Sequence, residues 1–229
     1  MLSKFDSSPT QVAKWIILDI DETLVRTRKN LSKNGRNNNL FLPLTYKSMD
    51  GFDDVTSWTQ KRPGLDVFLN YCLQNFNVGI WSAGQPNYVN TVVQNLFQDF
   101  EIQPQFIYNW MDCMKEKGHV RKPLAWTKCP LDITLLIENN DENVSVQDVD
   151  NVVIVPSFRG SMYDTVLIEI MNWLPSFKES INVRTLLKPT LITFSHRSSR
   201  KVSSIESDWV FHPTQLMKPS DFFTHDRII

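Results

Sequence analysis

The sequence predicts an α/β fold built on a doubly wound parallel sheet, and two features of the chain support that class. Short apolar runs typical of buried strands alternate with stretches in which apolar residues recur at helical spacing. This alternation is typical of a parallel sheet with helices packed on both faces. In such sheets ligands bind at the carboxyl ends of the strands, so polar residues that directly follow a strand are the first candidates for a site.

Each predicted element rests on a local pattern. Apolar runs bounded by polar or turn residues predict strands at 14–19, 78–81, 106–108, 133–137 and 151–155. Apolar spacing predicts helices from residue 65 to 73, from Pro86 onward, and from Tyr163 to Trp173 with a stop near Pro175. Two further runs, 41–46 and 55–59, flank an Asp-Gly turn and predict a small β-hairpin inserted after the first strand.

Composition and charge exclude several classes of protein. The 41% hydrophobic and 21% charged residues fit an ordinary globular chain, and the net charge of −1 argues against a general binder of polyanions. Cys72, Cys113 and Cys129 form no CxxC pair and no zinc pattern, which favours an intracellular location, in the nucleus or the cytoplasm. No apolar run reaches the roughly 18 residues of a membrane span, so no membrane partner is predicted.

Polar side chains follow three of the predicted strands at the point where each strand ends. Asp19 and Asp21 follow the first, and their spacing of two puts both carboxylates on one side of an extended backbone. Neighbouring carboxylates repel, and either a divalent cation such as Mg²⁺ or a shared proton relieves that repulsion. Ser82 follows the second strand, while Glu138 and Asn139 follow the fourth. The three strand ends therefore predict one site.

Four motifs in order along the chain resemble those of a known family. The first is residues 19–25 (DIDETLV), followed by 62–69 (RPGLDVFL), 81–84 (WSAG) with Tyr88 after it, and Lys122 placed 16 residues before the pair 138–139 (EN). The first motif resembles that of the haloacid-dehalogenase (HAD) superfamily. Together the motifs are similar to the small RNA polymerase II CTD phosphatase group, over residues 13 to 175.

The resemblance implies a Rossmann-like, HAD-like phosphatase domain over residues 1–175 without a large cap. Residues 176–229 are then a C-terminal extension, partly packed or flexible. Only about 40 residues separate Ser82 from Lys122, and the predicted helix and strand between them leave no room for a cap. An uncapped site stays open to a large substrate.

The resemblance also implies roles for the site residues. Asp19 is the expected nucleophile, forming an aspartyl-phosphate, and Asp21 the expected general acid and base. Ser82, Lys122 and Thr23 are expected to bind the phosphoryl group.

The same resemblance implies Mg²⁺ as the cofactor. Its expected ligands are Asp19, Asp21 (which also reaches the metal through its backbone carbonyl), Asn139 and Glu138. Glu138 stands where the group usually has an aspartate, so Asp141 is an alternative source of the carboxylate.

The leading hypothesis is a magnesium-dependent phosphatase of phosphoserine or phosphothreonine in a protein segment. The alternatives are a polynucleotide or small-molecule phosphatase, with nucleic acid not favoured as a partner, and a non-catalytic interaction protein on the same fold. The presence of both Asp19 and Asp21 places the binding-only interpretation second. The sequence carries no signal for an oligomeric state.

Two basic segments have open interpretations. Residues 26–39 are predicted to be a loop, either simply solvated or attracting an anionic substrate. Its basic residues are Arg26, Arg28, Lys29, Lys33 and Arg36. Residues 195–204 are predicted to be a linker, with docking or nuclear targeting as the alternative.

Overall fold

A computed structural model describes residues 13–31, 40–116 and 118–190. Within these ranges the chain forms ten strands and three α-helices. The strands are β1 (Trp15–Leu18), β2 (Val25–Arg28), β3 (Leu42–Lys47), β4 (Asp54–Lys61), β5 (Asn77–Trp81), β6 (Phe106–Tyr108), β7 (Met114–Glu116), β8 (His119–Arg121), β9 (Thr134–Glu138) and β10 (Val152–Ile154). The helices are α1 (Leu65–Asn75), α2 (Pro86–Phe97) and α3 (Val166–Glu179). Short 3₁₀ helices lie at Trp110–Asp112, Leu124–Thr127, Leu131–Ile133, Asp141–Asn143, Val146–Asn151 and Val183–Thr185.

The central sheet is parallel and has the order β10-β9-β1-β5-β6. The chain starts in the middle of the sheet and winds outward in both directions, as a doubly wound fold does. The predicted fold class is confirmed. Strand β1 is central because Ile16, Ile17 and Leu18 are completely buried, which requires that both faces of the strand be covered.

The register of the sheet brings the predicted site residues to one edge. Leu18 pairs with Ile80 on one side and with Ile137 on the other. The residues that follow these three therefore leave the sheet at the same level. Asp19 continues the alignment, since its backbone N–H donates to the carbonyl of Ile137 at 3.0 Å.

A second sheet, with the order β2-β4-β3, forms the insertion after β1. The predicted hairpin is confirmed as β3 and β4, but the prediction that the basic loop begins at Arg26 is wrong. Residues 25–28 form β2, antiparallel to β4, because Val25 and Thr27 have β-branched side chains suited to a strand and β4 offers a free edge. Lys33 and Arg36 lie outside the described residues.

The last helix differs from its prediction at both ends. It begins at Val166, whose N–H donates to the Asp164 carboxylate at 3.1 Å, and it continues through Pro175 to Glu179. A proline removes one helical hydrogen bond, but the apolar face continues past it to the buried Phe177. Lys14 donates to the Phe177 carbonyl at 2.5 Å and to oxygens of Ser180, which binds the residue before β1 to the end of α3.

The helix thus crosses the predicted boundary at residue 175, while the division into a domain and an extension stays a prediction. The basic segment 195–204 lies outside the described residues.

Arg62 joins the end of β4 to the turn after β1 from a completely buried position. Its guanidinium donates to both carboxylate oxygens of Asp164, at 2.8 and 3.0 Å, and to the carbonyls of Thr23 and Pro156 at 3.0 and 2.8 Å. The planar fork of arginine can satisfy these acceptors together, which a single ammonium group cannot do. The Arg62 contacts fix the turn after β1 that carries the candidate site.

Candidate active site

A pocket of about 390 Å³ lies where β1, β5 and β9 end. Its lining includes the predicted site residues Asp19, Asp21, Ser82 and Asn139. The structure therefore brings together side chains that are far apart in the sequence. Thr23, Lys122 and Glu138 lie behind this surface and are buried completely.

Asp19 lines the pocket and is fixed there by an ion pair. It is 3% exposed, and its Oδ1 accepts from the Lys122 Nζ at 2.6 Å. Its other carboxylate oxygen has no hydrogen-bond partner among the residues that the structure describes. A carboxylate oxygen that opens onto the pocket without a donor from the described residues can attack an electrophile or bind a cation.

Lys122 bridges two carboxylates. Its Nζ lies 2.6 Å from Asp19 Oδ1 and 2.6 Å from Glu138 Oε2. Burial lowers the pKa of the lysine, but the charges of Asp19 and Glu138 outweigh burial and raise that pKa above its ordinary value. Lys122 is therefore a permanent cation beside the candidate nucleophile.

Glu138 uses both of its oxygens within the protein. Oε2 accepts from Lys122, and Oε1 accepts from the backbone N–H groups of Asn139 and Asn140 at 3.1 and 3.0 Å. Burial raises the pKa of Glu138, as does the Asp19 charge, while Lys122 lowers it. Since all its partners are donors, the ionised form fits this place. Its predicted role as a metal ligand stays a prediction, and Asp141, the alternative, is an exposed residue at the start of a 3₁₀ helix.

Asp21 occupies the pocket side that faces β2 and α2. A tight turn positions it, with Glu22 at a φ of 59°, a left-handed conformation that is uncommon for glutamate. Burial raises the pKa of Asp21 to about 6, with a smaller contribution from the Asp19 charge, against the hydrogen bonds from Tyr88 and Ser82. A carboxyl with that pKa can both donate and accept a proton near neutral pH.

Ser82 and Thr23 keep their hydroxyls close to the site. Ser82 Oγ accepts from the backbone N–H of Gly84 at 2.9 Å and lies 3.4 Å from Asp21 Oδ2. Thr23 Oγ1 lies 3.1 Å from the Asn139 side-chain oxygen. Thr23 therefore orients Asn139, and the roles of both hydroxyls toward phosphate stay predictions.

The oxygens around Asn139 fit a Mg²⁺ ion. With its amide oxygen toward Thr23, that oxygen lies 3.1 Å from the Asp21 backbone oxygen, a contact between two acceptors. Such a contact is repulsive without a cation, and it matches the spacing of about 3 Å between adjacent ligands of octahedral Mg²⁺ with bonds of about 2.1 Å. Without a cation, the reversed amide is the orientation that satisfies its neighbours, because its nitrogen donates to the Asp21 carbonyl, Thr23 Oγ1 and Glu138 Oε1 and its oxygen accepts from Ser157 Oγ.

The candidate ligands of Mg²⁺ do not form a cluster of charged side chains. In the described ranges no three His, Cys, Asp or Glu side chains form a metal site. The candidate set instead combines the carboxylate of Asp19, a backbone carbonyl and the amide of Asn139, which are the hard oxygen donors that Mg²⁺ prefers.

Two residues of the site had no role predicted from the sequence. The Tyr88 hydroxyl lies 2.5 Å from Asp21 Oδ1, and Thr27 lines the pocket 2.7 Å from that hydroxyl. The position of Tyr88 near the start of α2, just after the strand end at Ser82, was the signal that could have marked it. Thr27 carried no such signal, since its stretch was predicted to be a loop.

The rim of the pocket carries opposite charges. Arg159 Nη1 pairs with Glu22 Oε1 at 2.7 Å, and Arg26 donates to the Arg159 carbonyl. The Arg159 side chain is 68% exposed, so this pair is weak and can open at little cost.

None of the helices in the described ranges is long and apolar enough to cross a bilayer.

Several known proteins are similar to this chain. Nuclear envelope morphology protein 1 of Saccharomyces cerevisiae is 24% identical over 189 residues, which are 78% of this chain and 42% of that protein. The CTD nuclear envelope phosphatase 1 homolog of Drosophila melanogaster is 24% identical over 78% of this chain and 73% of its own. The mitochondrial import inner membrane translocase subunit TIM50 of Debaryomyces hansenii is 29% identical over 54% of this chain and 26% of its own. The chain thus spans less than half of the yeast morphology protein and of the translocase subunit.

A solved structure has the same fold. The fission yeast RNA polymerase II CTD phosphatase Fcp1-R271A bound to beryllium fluoride superposes with a TM-score of 0.53 at 13% identity, over 73% of this chain and 53% of that one. The model of the NLI interacting factor-like phosphatase family matches residues 14–184. This range includes every predicted site residue, and the family predicted by resemblance is confirmed. The chain belongs to the NLI interacting factor-like phosphatase family.

Proposed function

We propose that this chain is a magnesium-dependent phosphomonoester hydrolase that acts through an aspartyl-phosphate on Asp19. One observation carries the proposal. Asp19 presents an oxygen without a hydrogen-bond partner among the described residues, in a pocket, while its other oxygen is fixed by the cation of Lys122. A carboxylate that is oriented but not fully bonded is suited to attack phosphorus.

The residues around Asp19 divide the work of phosphoryl transfer. Asp19 attacks the phosphorus, and the bond to the leaving oxygen breaks as the bond to Asp19 forms. Lys122 offsets negative charge beside the equatorial phosphoryl oxygens, and the Ser82 hydroxyl donates to one of them. Asp21 gives its proton to the leaving oxygen and then accepts one from the water that hydrolyses the aspartyl-phosphate.

Mg²⁺ held by Asp19, Asn139 and the Asp21 carbonyl would supply charge neutralisation at the phosphoryl group. Glu138 has a supporting role in this proposal: it fixes Lys122 and the backbone of Asn139. That role explains why a side chain one methylene longer than aspartate is accommodated here.

The substrate that we propose is phosphoserine or phosphothreonine in a protein segment. The described residues contain no large cap over the pocket, so a chain can cross it with its phosphate reaching Asp19. The exposed cations Arg159, paired with the pocket-lining Glu22, and Arg28, next to the pocket-lining Thr27, favour a phosphorylated segment. Relatives named as CTD phosphatases support a protein substrate over a polynucleotide. We place the activity inside the cell, in the nucleus or the cytoplasm, because Cys72, Cys113 and Cys129 are all free, buried thiols.

One relative favours a second candidate, a binding protein without catalysis. The TIM50 relative is named as a translocase subunit. The intact arrangement of Asp19, Asp21 and Lys122 argues for hydrolysis in this chain, because a protein that only binds does not need a second, half-buried carboxyl beside the buried Asp19.

Hydrolysis of p-nitrophenyl phosphate with and without Mg²⁺ tests the proposal. We expect turnover only with the metal, and a loss of at least about a thousandfold in Asp19→Asn. Trapping of a phosphoryl group on wild-type protein but not on Asp19→Asn would identify the intermediate. Equal inactivity of both proteins would leave the binding role.

Competition between substrates tests the substrate class. We expect phosphoserine peptides to inhibit turnover of p-nitrophenyl phosphate at lower concentrations than oligonucleotides with 3′- or 5′-phosphates do. The reverse order would favour a polynucleotide phosphatase.

A further inference from the structure

A row of hydroxyl groups connects the insertion sheet to Asp21. Thr59 on β4 lies 2.9 Å from Thr27 on β2, oxygen to oxygen, and Thr27 Oγ1 lies 2.7 Å from the Tyr88 hydroxyl on α2. The Tyr88 hydroxyl in turn lies 2.5 Å from Asp21 Oδ1. Four side chains from four parts of the chain thus form one continuous line that ends on the candidate acid.

The number of hydrogens limits the direction of this line. A phenol carries one hydrogen, so Tyr88 donates either to Asp21 Oδ1 or to Thr27 Oγ1 and not to both at once. Donation to Asp21 Oδ1 leaves the Tyr88 oxygen to accept from Thr27, and Thr59 can then donate to Thr27. Each member holds the next, which gives the row more rigidity than any single bond would.

Packing holds Tyr88 in place independently of the hydroxyls. Tyr88 is only 8% exposed, and its ring lies 5.3 Å from that of Tyr46 on β3, centroid to centroid. The neighbouring Asn87 donates its side-chain amide to the Ser48 carbonyl at 3.1 Å, at the end of β3. The start of α2 is therefore bound to the insertion sheet through two adjacent residues.

The contact also distinguishes the two oxygens of Asp21. Oδ1 accepts from Tyr88, so the transferable proton belongs on Oδ2. Oδ2 lies 3.4 Å from Ser82 Oγ, next to the candidate phosphoryl-binding hydroxyl. With Oδ1 fixed, rotation of the carboxyl is blocked and Oδ2 stays directed toward the group that reacts.

We propose that Tyr88, supported by Thr27 and Thr59, is a positioning residue that holds Asp21 for proton transfer to the leaving group. The proposal rests on the proposed function. In the step concerned, the proton on Asp21 Oδ2 passes to the leaving oxygen as its bond to phosphorus breaks and the bond to Asp19 forms. The small insertion sheet thereby has a catalytic purpose.

Leaving-group dependence tests this role. An alkoxide such as that of serine leaves only when it is protonated, whereas p-nitrophenolate leaves without much help. Because kcat/KM reports the steps up to departure of the leaving group, it isolates acid catalysis from the later hydrolysis of the aspartyl-phosphate. General acid catalysis contributes about 10²- to 10⁴-fold, and loss of positioning removes part of that.

For Tyr88→Phe we expect kcat/KM to fall about 10- to 100-fold on a phosphoserine peptide and less than about threefold on p-nitrophenyl phosphate. Thr27→Val should show the same preference with a smaller loss, about 3- to 10-fold on the peptide. Asp21→Asn removes the acid itself and therefore gives the full loss of kcat/KM against which the other variants are compared. Tyr71→Phe, a matched change on α1, should leave both values within about twofold of the wild type.

If kcat/KM falls equally on the two substrates in Tyr88→Phe and Thr27→Val, or falls on neither, the positioning role is overturned. The proposed function still stands in that case, provided that the wild type turns over substrate. A wild type without turnover of either substrate in Mg²⁺ would overturn the proposed function itself, and the positioning role with it. Thermal unfolding of each variant separates a folding defect from a catalytic one, and Thr27→Val provides the second test if Tyr88→Phe unfolds.

Discussion

Replacing Lys122 by methionine is expected to damage stability and catalysis to different extents that can be measured separately. Methionine has nearly the same length and fills nearly the same space, so packing is kept and the charge alone is lost. The variant leaves Asp19 and Glu138 buried with no cation between them. Removing one partner of a buried ion pair costs about 3–5 kcal/mol in the free energy of unfolding. The raised pKa of Lys122 agrees with this in direction, because the two carboxylates outweigh the burial of the charge.

The double variant Lys122→Met with Glu138→Gln distinguishes the two roles. Removing the Glu138 charge relieves the repulsion, so we expect recovery of at least about 1–2 kcal/mol of the lost stability. Catalysis should not recover, because the cation beside the phosphoryl group is still absent. We expect kcat/KM to stay about 10²- to 10³-fold below the wild type in both variants, as when one charge-stabilising donor is removed.

Urea unfolding and steady-state kinetics on the same protein preparations measure both effects. Lys47→Met, on the exposed strand β3, is the control, and we expect it to change stability by less than about 0.5 kcal/mol. An unfolding free energy for Lys122→Met within about 1 kcal/mol of the wild type would refute the electrostatic reasoning. Restored turnover in the double variant would refute the catalytic role of Lys122.

Three further substitutions test other parts of the structure. Gly64→Ala should destabilise the fold more than Gly51→Ala in thermal melts: both glycines have positive φ, but a Cβ at Gly64 would lie 2.8 Å from Ile168, whereas one at Gly51 meets nothing within 4 Å. Arg62→Lys should cost about 2–4 kcal/mol in urea unfolding, because a lysine cannot reproduce the two-pronged bond and two carbonyl bonds; a loss below about 1 kcal/mol would contradict this role. Burial raises the pKa of Asp148, so its ionised form weakens the fold above that pKa and the penalty disappears as pH falls through it. The melting temperature of Asp148→Asn should therefore equal or exceed that of the wild type at neutral pH. Any excess in melting temperature should shrink in mild acid, and an excess that grew in mild acid would contradict the prediction.

The parts of the fold that were predictable from sequence are those in which local pattern and tertiary place agree. The runs that became β1 and β9 are apolar throughout because both faces of the central sheet are covered. Since parallel strands end at a common edge, the polar residues after them could be grouped into one site from strand pattern alone. This rule alone was enough to predict that Asp19, Ser82 and Asn139 lie in one site.

The parts that could not be predicted depend on partners far along the chain. Strand β2 alternates basic residues with Val25 and Thr27, and only its pairing with β4 makes this pattern a strand. The contact between Tyr88 and Asp21 joins residues 67 positions apart, and the place of Tyr88 just after the 81–84 motif does not reveal which side chain it contacts. Likewise, nothing near Glu138 in the sequence indicates that Lys122 and two backbone N–H groups use its oxygens. Helix α3 passes Pro175 because its buried face extends beyond the proline.

The register of β1 has a consequence for how this site can change in evolution. Ile16 and Leu18 alternate with Ile17 along β1, and both faces of the strand are buried, so Asp19 is placed by the level at which the strand ends. A slip of one residue against β5 or β9 would move Asp19 by about 3.3 Å along the strand and out of line with Ser82 and Asn139. The apolar residues of β1 therefore set the alignment of the site. Substitutions that change a pocket side chain by one methylene or methyl group can be tolerated in evolution, whereas the apolar residues that fix the register must be kept.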